Sequence, residues 1–170
     1  EQRGIGRRDL AEFDIVGEDP GKLRQRWVKP RRWYGRGNRE WRLTRTPDAP
    51  LESWEPYTSS GDIVHFSRWQ KSDVYGAAVR VKAEGHRKAY LWVGARGHVA
   101  AQWNGQAVLD QESLTQFRIG RFQAAIEVRP GINQLIVRLQ APASGEPQLS
   151  VHLIGPRNDG DTVDGIRWLA

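Results

Sequence analysis

Val79-Arg-Val-Lys-Ala83, Lys88-Ala-Tyr-Leu-Trp-Val-Gly94, His98-Val-Ala-Ala-Gln-Trp-Asn-Gly-Gln-Ala-Val108 and Phe122-Gln-Ala-Ala-Ile-Glu-Val-Arg-Pro-Gly-Ile-Asn-Gln-Leu-Ile-Val-Arg-Leu139 follow one another as strand-like runs divided by short turns. Val79, Val81 and Ala83 alternate with Arg80, Lys82 and Glu84. A period of two gives a strand one core face and one wet face. Ala89, Leu91 and Val93 alternate with Tyr90 and Trp92, so both faces are apolar or aromatic and an inner strand is expected. Gly94 to Gly97 reads as a break before the strand Val99 to Trp103. Asn104-Gly105 then predicts a tight hairpin, since both turn positions call for positive φ, with a return strand over Gln106 to Leu109. Phe122 to Val128 and Leu135 to Leu139 form two more alternating runs around the Pro130-Gly131 turn.

Working outward, Leu149, Val151 and Leu153 form a last clear strand opposite Gln148, Ser150 and His152. Ile166 to Leu169 reads as a closing strand, and Asp62 to Phe66 as an earlier one. Trp41 with Leu43, and Trp54 to Tyr57, fit short strands among Pro-rich connections. No amphipathic helix longer than about two turns is visible. Regularly spaced short strands broken by Gly and Pro predict an all-β, antiparallel β-sandwich. The longer connections favour a jelly-roll over a meander. The expected organisation is a partly ordered lead-in over residues 1–23, with a possible strand at Phe13 to Val16, and one β-sandwich domain over 24–170 whose clearest core is 62–154.

The 170 residues suffice for one real core. There is no cysteine, which excludes a disulfide framework and a thiolate metal site. There is no methionine either, which predicts a mature or excised part of a longer product, and no apolar run reaches the length of a membrane span. The net charge of +6 is unevenly spread. Arg24 to Arg45 contains nine Lys/Arg and one acid, Glu40, which leaves 17 bases (26 − 9) against 19 acids (20 − 1) elsewhere. One basic segment therefore carries the whole excess.

Leu91-Trp-Val-Gly94, followed by Val99-Ala-Ala-Gln-Trp103-Asn-Gly105 and by Gly131-Ile-Asn133-Gln-Leu135, resembles the galactose-binding-domain-like jelly roll. Such domains accompany bacterial glycoside hydrolases, polysaccharide lyases and other secreted proteins. The resemblance spans roughly Asp62 to Ile154. It implies structural roles for its motifs: Asn104-Gly105 shapes a turn and Asn133 satisfies backbone groups near a strand start. It also implies an extracellular, periplasmic or cell-envelope setting. Gly94-Ala-Arg-Gly97 departs from the family's acidic tripeptide, which argues against an acid-lined loop there.

Candidate chemistry is sparse. His65, His86, His98 and His152 are isolated, and no catalytic signature pattern is present. His65 and His152 alternate with apolar neighbours and are expected to face solvent; Asp62, Asp73, Glu84 and Glu127 read as strand ends and wet faces. Asp159, Asp161 and Asp164 offer hard oxygen ligands, but their spacing fails the EF-hand pattern, so an acidic Gly-rich tail is preferred to a structural calcium site. No other cofactor is implied. The sharpest feature is the loop Arg31-Arg32-Trp33-Tyr34-Gly-Arg36. Aromatic faces stack on sugar C–H faces, and Arg pairs with carboxylate or sulfate. The same chemistry serves single-stranded nucleic acid. In the alternative reading, Trp27, Trp33 and Trp41 plug the core and Arg stems cover apolar surface. Trp69, in a polar loop, is a secondary stacking residue, and Trp92 is either exposed or covered by another segment.

The function expected is a non-catalytic carbohydrate-binding or accessory module of a larger secreted or envelope protein, favouring anionic glycans. Its partners would be a polysaccharide or oligosaccharide and an adjacent domain of the same polypeptide. A nucleic-acid-binding domain using residues 24–45, and part of a polysaccharide lyase or hydrolase, are the alternatives.

Overall fold

The computed structural model describes residues 38–66, 68–113 and 117–169. Expectations placed on residues 1–37, including Phe13 to Val16, Trp27 and the Arg31 to Arg36 loop, lie outside them. The elements are β1 (Asn38–Thr44), a single 3-10 turn (Leu51–Ser53), β2 (Glu55–Ser60), β3 (Ile63–His65), β4 (Val74–Ala83), β5 (Arg87–Trp103), β6 (Gln106–Ser113), β7 (Phe122–Val128), β8 (Gly131–Gln140), β9 (Gln148–Ile154) and β10 (Ile166–Leu169). Every strand pairing among the described residues is antiparallel. The described chain is an all-β, jelly-roll-like sandwich.

Hydrogen-bonded neighbours run in the order β2-β1-β4-β8-β5-β9-β3, with β10 added to β4 and both β6 and β7 added to β5. The alternation read from the sequence sets which residues turn inward. Val79 and Val81 of β4, Leu135 and Val137 of β8, Leu91 and Val93 of β5, and Val151 and Leu153 of β9 meet in one core.

The main correction concerns β5. Gly94 to Gly97 does not separate two strands; a single 17-residue strand passes through it. The first part of β5 pairs with β7 and β9, and the part from Gly97 onward pairs with β6 and β8. The glycines allow the change of sheet. Gly97 has φ +122, and a Cβ on it would lie 2.1 Å from the Gln140 carbonyl oxygen. A Cβ on Gly94 would meet the Arg118 carbonyl at 2.4 Å. A break in side-chain pattern looks the same in sequence whether the chain turns back or bends onward.

Asn104 and Gly105 take φ of 51 and 84, as the hairpin reading requires. The return strand β6 runs past Leu109 to Ser113. Trp54 precedes β2 and is buried, with its ring against Gly76 and its Nε1 donating to the Ala49 carbonyl at 3.1 Å. Trp92 is half-buried, and its Nε1 donates to Asn158 Oδ1 at 2.6 Å. Asn158 in turn donates to Gln123 Oε1 at 2.9 Å. The Gly155 to Gly165 connection is thereby fastened to the outer face of β5 and β7.

His152 is the second correction. It is buried at 4% exposure, not solvent-facing, and its Nε2 lies 3.5 Å from Asp62 Oδ2. Asp62 is correspondingly shielded, with a side chain 10% exposed. β9 is covered on both faces, so alternation with apolar neighbours did not mark a wet side there. His65 does face solvent.

Candidate functional site

An open groove of about 630 Å³ lies on the described surface. β5 and β7 supply one side. Their register places Lys88 opposite Glu127, and Tyr90 opposite Ala125. Inward neighbours Ala89 and Ile126 are buried, which turns Lys88, Tyr90, Ala125 and Glu127 outward together. The β5–β6 hairpin adds Asn104, Gln106 and Val108, and the β4–β5 turn adds His86. Trp103 closes the core beside the groove, its Nε1 donating to the Glu127 carbonyl at 2.8 Å. His86 Nε2 lies 2.5 Å from Glu127 Oε1, and both side chains are more than half exposed.

The groove thus combines one half-buried aromatic ring with two cations (Lys88 and Arg129), one His–carboxylate pair and two amide side chains. A second depression of about 430 Å³ shares His86 and Pro156 with it and is lined by Asp159, Asp161 and Asp164. Asp159 Oδ1 accepts the Asp161 N–H, and the Asp164 carbonyl accepts from Arg87 Nη1. Among the described residues, no group of three or more His, Asp or Glu side chains is placed to hold a metal ion.

A buried polar cluster lies where the sheet edges meet. Arg39 Nη1 donates to the Val151 carbonyl at 2.6 Å, and the guanidinium lies 3.8 Å from the Trp168 ring centroid. Burial lowers the Arg39 pKa to about 10, and the Asp62 carboxylate offsets part of that shift. Beyond the other end of β1, Tyr75 donates to Asp73 Oδ2 at 3.1 Å. Burial and that hydrogen bond raise the Tyr75 pKa.

The described end of the basic segment has structural duties. Arg39, Arg42 and Arg45 each donate to a backbone carbonyl, those of Val151, Trp54 and Arg68. Trp41 is buried at 1% exposure and fills the core. Trp33, Tyr34, Arg31, Arg32 and Arg36 lie outside the described residues. Trp69 is half-buried against the core and does not line the groove. Trp103 and Asn104 stood out in the sequence as turn and core residues, and none of the groove residues was read there as a binding residue. Their signal was the outward half of two alternating strands, legible only once β5 and β7 are known to pair.

No protein-family model matches the chain, and no curated protein matches it. Among solved structures it is similar to part of the beta-glucosidase from Kluyveromyces marxianus, at 12% identity and a TM-score of 0.47 over 72% of this chain and 16% of that one. It is also similar to the PA14 domain of the MpAFP antifreeze protein, at 10% identity and a TM-score of 0.46 over 79% and 93%. The PA14 sugar-binding domain from an RTX adhesin matches at 15% identity and a TM-score of 0.38 over 49% and 46%. One of these neighbours is thus named as a beta-glucosidase and another as a sugar-binding domain. The chain spans about a sixth of the beta-glucosidase.

Proposed function

We propose that the domain is a non-catalytic carbohydrate-binding module of the galactose-binding-domain-like kind, serving a larger secreted or envelope protein, and that the groove beside Tyr90 takes a sugar chain, preferentially an anionic one. The observation that supports this reading is the lining itself: Tyr90 and Lys88 share the outward face of β5, with Glu127 and Arg129 beside them and the amides of Asn104 and Gln106 across from them. Sugar rings present C–H faces to an aromatic side chain and hydroxyls to amides and carboxylates. Uronate or sulfate groups pair with Lys and Arg. The loop Arg31, Arg32, Trp33, Tyr34 and Arg36 has the same chemistry and forms a second part of the proposal. The nucleic-acid alternative gains no support from Arg39, Arg42 and Arg45, which are tied to backbone carbonyls.

Affinity electrophoresis through gels of polygalacturonate, dextran sulfate, neutral dextran and single-stranded DNA tests the reading. Retardation by the acidic polysaccharides is expected, weakened about tenfold by Tyr90→Ala or by Trp33→Ala, the size of one lost aromatic contact. Absence of retardation in every polysaccharide gel would sink the proposal. So would release of new chain ends from the polymer, which would make the domain an enzyme.

A further inference from the structure

We infer that the glycan does not end in the groove but leaves it past Arg129, rounds the β7–β8 turn and crosses the outer face of β8, β4 and β10, where Lys82 and Arg167 hold it. This rests on the carbohydrate reading above and extends its footprint. Arg129 lines the groove and sits at the start of the Pro130-Gly131 turn. Just beyond the turn, Ile132 is opposite Lys82, and Lys82 is opposite Arg167. Residues directly opposite in paired strands point to the same face. Ile132, Lys82 and Arg167 therefore form one row, about 10 Å long at a strand spacing of about 4.8 Å.

All three are exposed, and Ile132 is 51% exposed. The rest of this sheet face is differently occupied: Trp54 lies on Gly76, and Leu51 lines shallow concavities with Ala78 and with Ile136. Lys82, Lys88, Arg129 and Arg167 form no ion pair with a described residue. Two acids lie on this side, Glu84 two positions past Lys82 and Glu52 beside Arg80 and Gln134, against Arg80, Lys82 and Arg167, so the balance stays positive. A linear polyanion satisfies separated cations along such a path. One isoleucine offers too little apolar surface to seat in a bilayer, so a lipid surface fits less well.

Length-defined oligogalacturonates, titrated calorimetrically into the whole chain, test the path. The groove alone should hold a fragment of about four residues, and fragments of about twelve should bind about tenfold more tightly by engaging both parts. In Lys82→Gln/Arg167→Gln the gain with length should vanish while the short fragment binds as before. Tyr90→Ala should weaken both lengths, and raised salt should erase the gain. Equal affinity for short and long fragments, or a double variant that keeps the gain, would overturn the extended path while leaving the groove reading intact. If neither length binds, both fall. Binding to phosphatidylglycerol vesicles that Ile132→Ser abolishes would replace the glycan by a membrane and also overturn the inference.

Discussion

Asn104 Nδ2 donates to Asn133 Oδ1 at 2.9 Å, joining the β5–β6 hairpin to the start of β8 across 29 residues of chain. Asn133 is fully buried; its amide also donates to the Arg129 and Val81 carbonyls, and its oxygen accepts the Arg129 N–H. Asn104 Oδ1 accepts the Gln134 N–H. Two turns are thus pinned by one amide pair.

Asn133→Ala should cost about 3 kcal/mol or more, since it strands several buried backbone groups. Asn104→Ala should cost about 1 kcal/mol beyond its turn preference, because Asn104 is only half-buried. A double-mutant cycle by urea denaturation should show coupling of about 1 kcal/mol. Additive effects would mean that the pair does not act as a unit.

Two glycines with positive φ should behave oppositely. Gly105→Ala meets open space and should cost about 1 kcal/mol, the left-handed penalty alone. Gly97→Ala drives a methyl group into the Gln140 carbonyl and should cost more than about 3 kcal/mol or prevent folding. Thermal melts of the two proteins check this, and similar melting temperatures would count against the bend at Gly97.

Arg39 over Trp168 should couple by about 1–2 kcal/mol. Arg39→Met keeps much of the volume but removes the hydrogen bond to Val151, for a loss of about 2 kcal/mol. Trp168→Leu should loosen β10, seen as faster amide exchange at Lys82 and Arg80, whose strand partners are Arg167 and Leu169. Unchanged exchange there would show that β10 is held by its ladder alone.

The raised pKa of Tyr75 fixes the sign of an alkaline effect. Above the ordinary value of 10.0 the unfolded chain gives up this proton before the folded one does, so the folded state binds more protons. Stability is complete below that pH and falls as pH rises through the folded-state pKa. The loss should be smaller in Tyr75→Phe, measured by urea midpoints between about pH 9 and 11. An identical decline in both proteins would remove Tyr75 as its source.

The alternation of Val79 to Ala83 and Leu135 to Leu139 was legible because these stretches bury one face more fully than the other, whereas β4 is buried on both faces from Tyr75 to Val79. The Asn104-Gly105 turn was legible because its residue types answer a backbone demand. His152 and Asp62 misled for a physical reason: β9 is buried on both sides, with Asp62 set against His152, and no local pattern announces a cover supplied by distant chain. The groove was silent for a related reason. Lys88, Tyr90 and Glu127 read as ordinary wet-face residues until the β5–β7 ladder sets them side by side. Trp41 could be assigned to the core or to a binding surface from sequence, and its burial decides for the core.

β5 serves as a shared member of two ladders, and this has a kinetic consequence. Neither half of the protein can be completed before the strand it has in common with the other is in place. Partners as far apart in sequence as Leu91 and Leu153 must find each other first. Folding should therefore be slow, as expected when distant pairings dominate, and should proceed as one transition in which the β5–β6 hairpin and the β3–β9 edge gain protection together.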